Sequence, residues 1–304
     1  MTSAHTSGEF HITKLGIIGL GLIGGSLAKA LRRVKFVEHI IVADSDTGTV
    51  NSVLKDGFAD EAADINSKGF YSAFDGCDAL FICIPPQAAC EMIPKFRNAR
   101  IDIITDVTSV KTPVLNAARN MGNFIGGHPM AGSEGSGYVA ADPQIFNNSI
   151  YIICRGEDCT LPREKEEAYK RLLEAIGATP IAMDATAHDC RIAVISHMPH
   201  LAAFALAAMA EDTHDATLRA MIGGGFKDAT RIAASSPDLW ADILTSSPNL
   251  TKAIDEYTTK IQRLKGFIAD GDKAALREFL ASASAFRASI PEGLRAPRRT
   301  EIVK

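Results

Sequence analysis

The sequence predicts an α/β protein of two parts, in which a doubly wound, mainly parallel sheet is followed by an all-helical domain. Short apolar runs alternate with helix-like stretches as far as residue 183. Such alternation requires a parallel sheet with helices on both faces. Beyond Asp184, Ala and Leu become common, charges fall at helical spacing and no further strand is indicated.

The elements of the first part follow from these apolar runs. The first run enters a glycine turn and then a helical pattern, as expected for a strand that feeds a helix. The predicted strands are 14–19, 39–43, 79–84, 101–106, 123–127, 149–154 and 179–183, and the predicted helices are 22–33, 47–56, 87–96, 112–120 and 163–176. We expect the last two strands to extend the same sheet.

The second part is predicted to consist of long helices. Asp184 is placed to cap a helix over 185–211, which Pro199 would bend. Two further helices are predicted at 249–269 and 272–289. The expected organisation is a flexible leader at 1–13, a first domain at 14–183, a helical domain at 184–290 and a flexible tail at 291–304.

Composition excludes several classes of function. The chain has 304 residues, 46% hydrophobic and 22% charged, with a formal net charge of -4. This balance provides no basic surface for nucleic acid, and no stretch of 18 uninterrupted apolar residues indicates a membrane span. The six cysteines form no CxxC pair, so neither a disulfide framework nor a metal site is expected. We expect a cytoplasmic protein that binds a small molecule.

A glycine turn predicts a dinucleotide site. Gly19, Gly21 and Gly24 follow the first strand and open the first helix, with Leu22 and Ile23 at its start. The first glycine permits the turn, the second allows a pyrophosphate to approach and the third allows the helix to pack closely on the strand. This context predicts a Rossmann-type domain. The same glycines would also serve a tight turn in another α/β fold.

The residue at the end of the second strand indicates which dinucleotide is bound. Asp44 lies twenty residues past Gly24, where a carboxylate accepts hydrogen bonds from the adenosine ribose and repels a 2′-phosphate. We therefore expect NAD, with NADP possible because Ser45 follows. Asp46 is an alternative ligand of the ribose.

Further candidates follow strands that end at the same edge of the sheet. Ile84 and Pro85 end the strand at 79–84 beside the expected cofactor. Ser109 follows the next strand in DVTSVK, where it is a candidate catalytic residue or a helix cap. His128 ends the following strand in GGHPMAGSEGSG, and Pro129 restricts its backbone. A base is required to take a hydroxyl proton during hydride transfer, so His128 is the first candidate.

The helical part adds a histidine pair and a cation. His197 and His200 lie in SHMPH, where a buried core histidine, a weak metal pair and a residue reaching the cleft are the alternatives. Arg231 follows three glycines in GGGFKDATR, in a segment that breaks the helical run. Its guanidinium can bind both oxygens of a carboxylate, or it can form a salt bridge within that segment.

Taken in order, GLGLIG, DVTSVK, GGHPMAGSEGSG, SHMPH and GGGFKDATRIA resemble the prephenate and arogenate (cyclohexadienyl) dehydrogenase family. The resemblance runs from about residue 15 to about residue 289. It implies NAD-dependent oxidative decarboxylation in tyrosine biosynthesis, and a homodimer that intertwines through an all-α helical dimerisation domain.

The resemblance also implies roles for individual residues. His128 would draw the proton from the ring hydroxyl, and Ser109 would orient both groups. His197 and Arg231 would bind substrate, as would Ser133 and Glu134 in the loop after His128. Glu134 is an acid that can pair with the amine by which arogenate differs from prephenate. The alternative is that Glu134 pairs with a nearby cation and gates the site.

Two other functions are open from the residues alone. A β-hydroxyacid dehydrogenase of similar layout would need a lysine on the helix after Asp184, and none occurs before Lys227. A non-catalytic dimeric NAD sensor would keep the glycine turn without needing Ser109, His128 and Arg231 together.

Overall fold

The computed structural model describes residues 12–34, 36–133 and 135–291. The first part of the chain contains one sheet of eight strands in the order β3-β2-β1-β4-β5-β6-β7-β8. Neighbouring strands are parallel except β6 and β7, which are antiparallel. The strands are β1 Ile12–Ile18, β2 Val37–Ala43, β3 Glu61–Ala62, β4 Ala79–Ile82, β5 Ile104–Asp106, β6 Phe124–Pro129, β7 Ile150–Arg155 and β8 Thr179–Ala182. The predicted fold class is confirmed, including the extension of the sheet by β7 and β8.

Helices cover both faces of this sheet because side chains alternate along each buried strand. In β4, Phe81 packs in one apolar cluster, whereas Leu80 and Ile82 pack in another on the opposite face. Leu27 contributes to the first cluster and Val114 to the second. The helices are α1 Leu22–Leu31, α2 Thr47–Lys55, α3 Pro86–Met92, α4 Thr112–Ala117 and α5 Arg163–Ala175.

The strand order creates a crevice at the carboxyl edge of the sheet. The chain passes from β1 outward to β2 and β3, then returns to place β4 on the other side of β1. Connections leaving β1 and β4 therefore diverge, and ligands of doubly wound sheets bind where this divergence occurs. The fold thus positions the glycine turn after β1 and the segment after β4 on the two sides of one crevice.

The remainder of the described chain is helical. Its elements are α6 Ala185–Ile192, a π-helical turn Ala193–His197, α7 Met198–Glu211, α8 Ala216–Ala220, α9 Gly224–Thr230, α10 Pro237–Ser246, α11 Leu250–Ala269 and α12 Lys273–Ser289. Asp184 caps α6 as predicted, since its Oδ1 accepts a hydrogen bond from the Ala187 amide at 2.8 Å. The π-helical turn lies just before Pro199, where a proline removes one helical hydrogen bond.

The chain forms two compact units. One comprises Met1–His188 and Ala234–Ser246, and the other comprises Asp189–Ala233 and Ser247–Lys304. The first unit includes α10, whose Asp242 carboxylate accepts a hydrogen bond from the Gln87 amide at the start of α3, at 3.1 Å. No sequence pattern predicts that the segment Ala234–Ser246 belongs to the first unit, after the preceding segment has belonged to the second. The predicted leader and tail lie almost entirely outside the described residues, although β1 already begins at Ile12.

One helical stretch among the described residues, Ala185–Glu211, is apolar and long enough to cross a bilayer by length and composition. Buried helices of soluble domains pass the same test, so this is weak evidence for a span. Only 28% of the apolar window is buried within the chain. The second unit therefore presents apolar helix surface that its own fold leaves uncovered.

Candidate active site

The three glycines after β1 are each constrained differently. Gly19 has a φ of +90°, and a Cβ there would lie 2.4 Å from the Cys83 carbonyl oxygen. A Cβ on Gly24 would lie 1.8 Å from the Gly19 carbonyl oxygen, so α1 can pack against the turn only without a side chain. A Cβ on Gly21 would meet no atom within 4 Å. The first and third glycines serve the turn, and the second borders open space.

The N-terminus of α1 faces this space without a side-chain cap. Its N-cap is Gly21, and no side chain accepts a hydrogen bond from the first turn, which contains the half-buried Leu22 and Ile23. Uncapped amides and the helix dipole favour a phosphate at this position. The residues present therefore fit the pyrophosphate of a dinucleotide.

Asp44 and Asp46 have different partners. Oδ2 of the half-buried Asp44 accepts a hydrogen bond from the Leu20 amide at 2.6 Å, and Oδ1 accepts one from the Asp46 amide at 2.9 Å. These bonds fix an acidic group beside the glycine turn. Asp46 instead caps α2 by accepting from the Thr49 hydroxyl and the Gly48 amide, and these bonds lower the pKa of its carboxyl group. The geometry favours Asp44 over Asp46 as a ribose ligand.

The segment after β4 forms the other side of the crevice. Ile84 lies two residues past the end of this strand, and its Cγ2 would lie 2.7 Å from a Cβ on Gly19. Pro85 is exposed and precedes the first residue of α3. The glycine turn, Asp44, Ile84 and Pro85 are thus brought together at the carboxyl ends of β1, β2 and β4.

The DVTSVK motif contains a fully buried ion pair. Lys111 Nζ donates hydrogen bonds to Asp106 Oδ2 and to the Gly127 carbonyl oxygen, and both charged side chains are 0% exposed. Asp106 Oδ1 also accepts from the Gly127 amide at 3.1 Å, and Oδ2 accepts from the Thr108 amide at 2.8 Å. Both polar groups of the Gly127 backbone are therefore held by this pair. The half-buried Ser109 lies within the turn that the pair encloses.

His128 follows Gly127 directly and is the next-to-last residue of the buried strand β6. Its side chain is largely buried, and the residue is 8% exposed. Its Nδ1 lies 2.8 Å from Nε2 of His188, which is 1% exposed and lies in α6. The two rings meet edge to face, with centroids 5.1 Å apart. A histidine held by a second imidazole at a ligand-binding sheet edge can act as a general base.

The sequence motifs do not single out His188, Asp106 or Lys111 as candidate site residues. A histidine in the first turns of a helix gives no signal of the strand that it will contact. Asp106 and Lys111 belong to the DVTSVK motif, in which the sequence pattern favours only Ser109 as a site residue. The sequence does contain one signal for this ion pair: an acidic and a basic side chain, Asp106 and Lys111, lie five residues apart beside a strand predicted to be buried. Buried charges are usually paired, so such a spacing is compatible with an ion pair.

The loop after His128 is anchored at its far end. The Tyr138 hydroxyl donates to Asp56 at 2.9 Å, and Lys29 Nζ lies 4.3 Å from the centroid of the Tyr138 ring. Burial raises the pKa of Tyr138, as does its bond to Asp56. Ser133 is exposed and its Oγ accepts from the Gly135 amide at 3.3 Å. Glu134 lies outside the described residues.

The other predicted substrate ligands lie in the second unit. His197, in the π-helical turn, is 1% exposed, and its Nδ1 lies 2.9 Å from the Ser247 hydroxyl. His200 Nδ1 lies 2.9 Å from the Ser196 carbonyl oxygen, and burial lowers the pKa of His200. Arg231 is exposed and caps the C-terminus of α9. The predicted break in the helical run is confirmed, because α8 ends at Ala220 and α9 begins only at Gly224.

Comparisons with known proteins agree across both parts of the chain. The model of the prephenate dehydrogenase nucleotide-binding domain matches residues 27–182, and that of the prephenate dehydrogenase dimerization domain matches residues 184–282. Prephenate dehydrogenase of Bacillus subtilis (strain 168) is 32% identical over 288 residues, covering 90% of this chain and 75% of that protein. Cyclohexadienyl dehydrogenase of Zymomonas mobilis is 31% identical over 271 residues, covering 85% of this chain and 90% of that protein.

Solved structures give the same result. Prephenate dehydrogenase from A. aeolicus, in complex with hydroxyphenyl propionate and NAD+, superposes with a TM-score of 0.84 at 29% identity over 92% of this chain and 98% of that one. Synechocystis arogenate dehydrogenase superposes with a TM-score of 0.73 at 27% identity over 91% of this chain and 99% of that one. Together with the buried histidine beside a dinucleotide crevice, these matches show that the chain belongs to the prephenate dehydrogenase family of NAD-dependent oxidoreductases.

Proposed function

We propose that this enzyme catalyses the NAD-dependent oxidative decarboxylation of prephenate to 4-hydroxyphenylpyruvate, of arogenate to tyrosine, or of both. The observation that carries the proposal is His128, a buried base at the carboxyl end of β6 in the sheet that forms the dinucleotide crevice. Family membership supports the same reaction, because relatives include prephenate, cyclohexadienyl and arogenate dehydrogenases.

His128 takes the proton of the ring hydroxyl in this reaction. The cofactor supplies the hydride acceptor for the carbon that bears the hydroxyl. Removing the proton at the same time drives electron density toward a carbonyl, and loss of carbon dioxide from the opposite ring carbon then gives an aromatic ring. Aromatisation makes the reaction irreversible, so the protein has only to position the substrate, accept one proton and exclude water.

Other residues position the reactants. The pyrophosphate is held by backbone groups of the glycine turn and the start of α1, namely those of Gly19, Gly21, Leu22, Ile23 and Gly24. Asp44 binds the adenosine ribose and thereby favours NAD over NADP, and Ile84 and Pro85 border the cofactor. These roles are supported by the open space at Gly21, the uncapped start of α1 and the fixed Asp44 carboxylate.

The substrate is held by a separate set of side chains. Ser109 orients the hydroxyl group toward His128, and Arg231 binds a substrate carboxylate through its two-pronged guanidinium. His197, Ser133 and Glu134 contribute further contacts. The choice between the keto group of prephenate and the amine of arogenate depends on Glu134.

The functional unit is a homodimer. The dimerization-domain match and the uncovered apolar surface of the stretch Ala185–Glu211 support this assembly. We propose a dinucleotide-binding domain at 14–183 and a helical substrate and dimerisation domain at 184–290. We further propose that the enzyme is cytoplasmic, which is supported by its soluble-type composition and by six cysteines that form no disulfide bond within the described part of the chain.

Turnover by the purified enzyme tests the proposal. The values of kcat/KM for prephenate and arogenate, each with NAD and NADP, should show activity on at least one substrate and a preference for NAD. His128→Asn should lower kcat by roughly 100-fold or more with little change in KM, because a general base is removed. His39→Asn, a half-exposed histidine paired with Glu61, is the matched control. Binding of NAD without turnover of either substrate would instead indicate a sensor.

A further inference from the structure

The contact between His128 and His188 has a direct consequence for the protonation of the base. A neutral imidazole carries one proton, so a base that acts through Nε2 must carry its proton on Nδ1. The 2.8 Å distance from His128 Nδ1 to His188 Nε2 makes His188 the acceptor of that proton's hydrogen bond. We infer that His188 is a positioning residue, which fixes the reactive tautomer and the ring orientation of His128. This inference rests on the proposed function of His128.

The surroundings of His188 suit this role. It is 1% exposed and its amide donates to the Asp184 carbonyl oxygen at 2.8 Å, so the ring is carried on a capped first turn of α6. His128 is held equally firmly from the other side, because the Asp106–Lys111 pair binds both backbone groups of Gly127. Neither ring can move away without disturbing a buried element. The hydrogen bond is therefore organised before substrate binds.

The arrangement also stabilises the product of proton transfer. After His128 takes the hydroxyl proton at Nε2, both of its nitrogens are protonated, and Nδ1–H still donates to His188. A neutral imidazole acceptor stabilises the resulting cation without introducing a second formal charge into a buried site. The charged groups that neighbour the two histidines along the chain are Asp189, which follows His188 and is 2% exposed, and the Asp106–Lys111 ion pair, which binds the backbone of Gly127.

Two substitutions at position 188 separate hydrogen bonding from packing. Glutamine places an amide oxygen near the position of Nε2 and can accept the bond, whereas leucine fills space without accepting it. His188→Leu should lower kcat by about 10- to 100-fold with little change in the KM for NAD, because displacing a catalytic group can lower the reaction rate by up to about 100-fold. His188→Gln should keep kcat within about threefold of the wild type. His39→Leu serves as the control.

The pH profile provides a readout that a purely structural role would not change. Activity requires neutral His128, so kcat/KM falls on the acid side as this residue becomes protonated. Loss of the acceptor destabilises the cation and lowers the pKa of His128, so the acid limb should move to lower pH in His188→Leu and stay in place in His188→Gln. If the leucine variant does not fold, His188→Asn replaces it, because its shorter amide cannot reach Nδ1.

The possible results distinguish a failure of the proposed dehydrogenase function from a failure of the positioning role of His188. A wild-type enzyme without turnover would remove the proposed function itself. With an active wild type, a leucine variant that keeps its kcat and its acid limb would overturn the role of His188. A glutamine variant as impaired as the leucine variant would also overturn it, since hydrogen-bond acceptance would then not be the property that matters.

Discussion

Removing the Lys111 ammonium should strongly destabilise the first unit. Lys111 and Asp106 are both fully buried, and Asp106 has no exposed surface through which water could replace the lost partner. Lys111→Met therefore leaves a buried carboxylate whose remaining donors are the amides of Gly127 and Thr108 and the Thr108 hydroxyl. Breaking a buried pair in this way costs about 3–5 kcal/mol of the free energy of unfolding.

Thermal unfolding measures this loss. For a domain of this size each kcal/mol lowers Tm by about 2–4 °C, so Lys111→Met should lower Tm by about 6–20 °C. Lys165→Met is the matched control, because Lys165 pairs with Asp102 on the surface, where the two side chains are 40% and 44% exposed. An exposed pair contributes at most about 1 kcal/mol. Equal Tm values for the two variants would refute the reasoning.

A double-mutant cycle then assigns the energy to the pair. Asp106→Asn alone leaves the Lys111 ammonium buried without its counter-charge. The variant carrying both Asp106→Asn and Lys111→Met contains neither charge, so its loss of stability should be smaller than the sum of the two single losses. Strict additivity would show that the two side chains act independently, contrary to the geometry.

Two further substitutions test the cofactor and substrate sites. Gly24→Ala places a methyl group 1.8 Å from the Gly19 carbonyl oxygen, so α1 must shift and the Kd for NAD should rise at least about tenfold by calorimetry. Gly69→Ala, whose Cβ would make only ordinary contacts, should leave Kd unchanged. Arg231→Ala should raise the substrate KM by about 10- to 150-fold in steady-state kinetics, the range expected for a lost charged hydrogen bond. Arg219→Ala, which removes an exposed ion pair with Glu211, is its control, and equal KM values would exclude Arg231 as the carboxylate ligand.

The sequence predicted most of the fold because its signals are local. Apolar runs, glycines and caps lie next to the elements they specify, and Asp184 and the seven longer strands are examples. The two-residue strand β3 was missed because it carries too few residues for a pattern. The predicted break in the helical run at Gly223–Gly225 is confirmed, since α8 ends at Ala220 and α9 begins at Gly224. That α9 begins within the glycines was not predicted, because Gly has a low helix propensity.

The candidate site was predictable only in part. His128 and Asp44 could be selected because each ends a strand at the edge where ligands bind. His188 could not, since its contact joins residues 60 positions apart and depends on where α6 starts after β8. The ion pair was missed for a different reason, because burial of Asp106 and Lys111 is a property of the packed sheet and not of the motif.

The antiparallel pairing of β6 and β7 has a consequence for how this site can vary. Because Pro129 pairs with Tyr151, the chain leaves β6 and enters β7 at the same edge of the sheet. A connection between two parallel strands has to return from the carboxyl edge of the sheet to its opposite edge. The connection at 130–149 starts and ends at the same edge, so it does not have to cross the sheet. The free energy of closing such a loop depends only weakly on its length. Insertions and deletions can therefore reshape the wall beside His128 while every strand register is kept, which makes this connection a natural place for substrate preference to diverge.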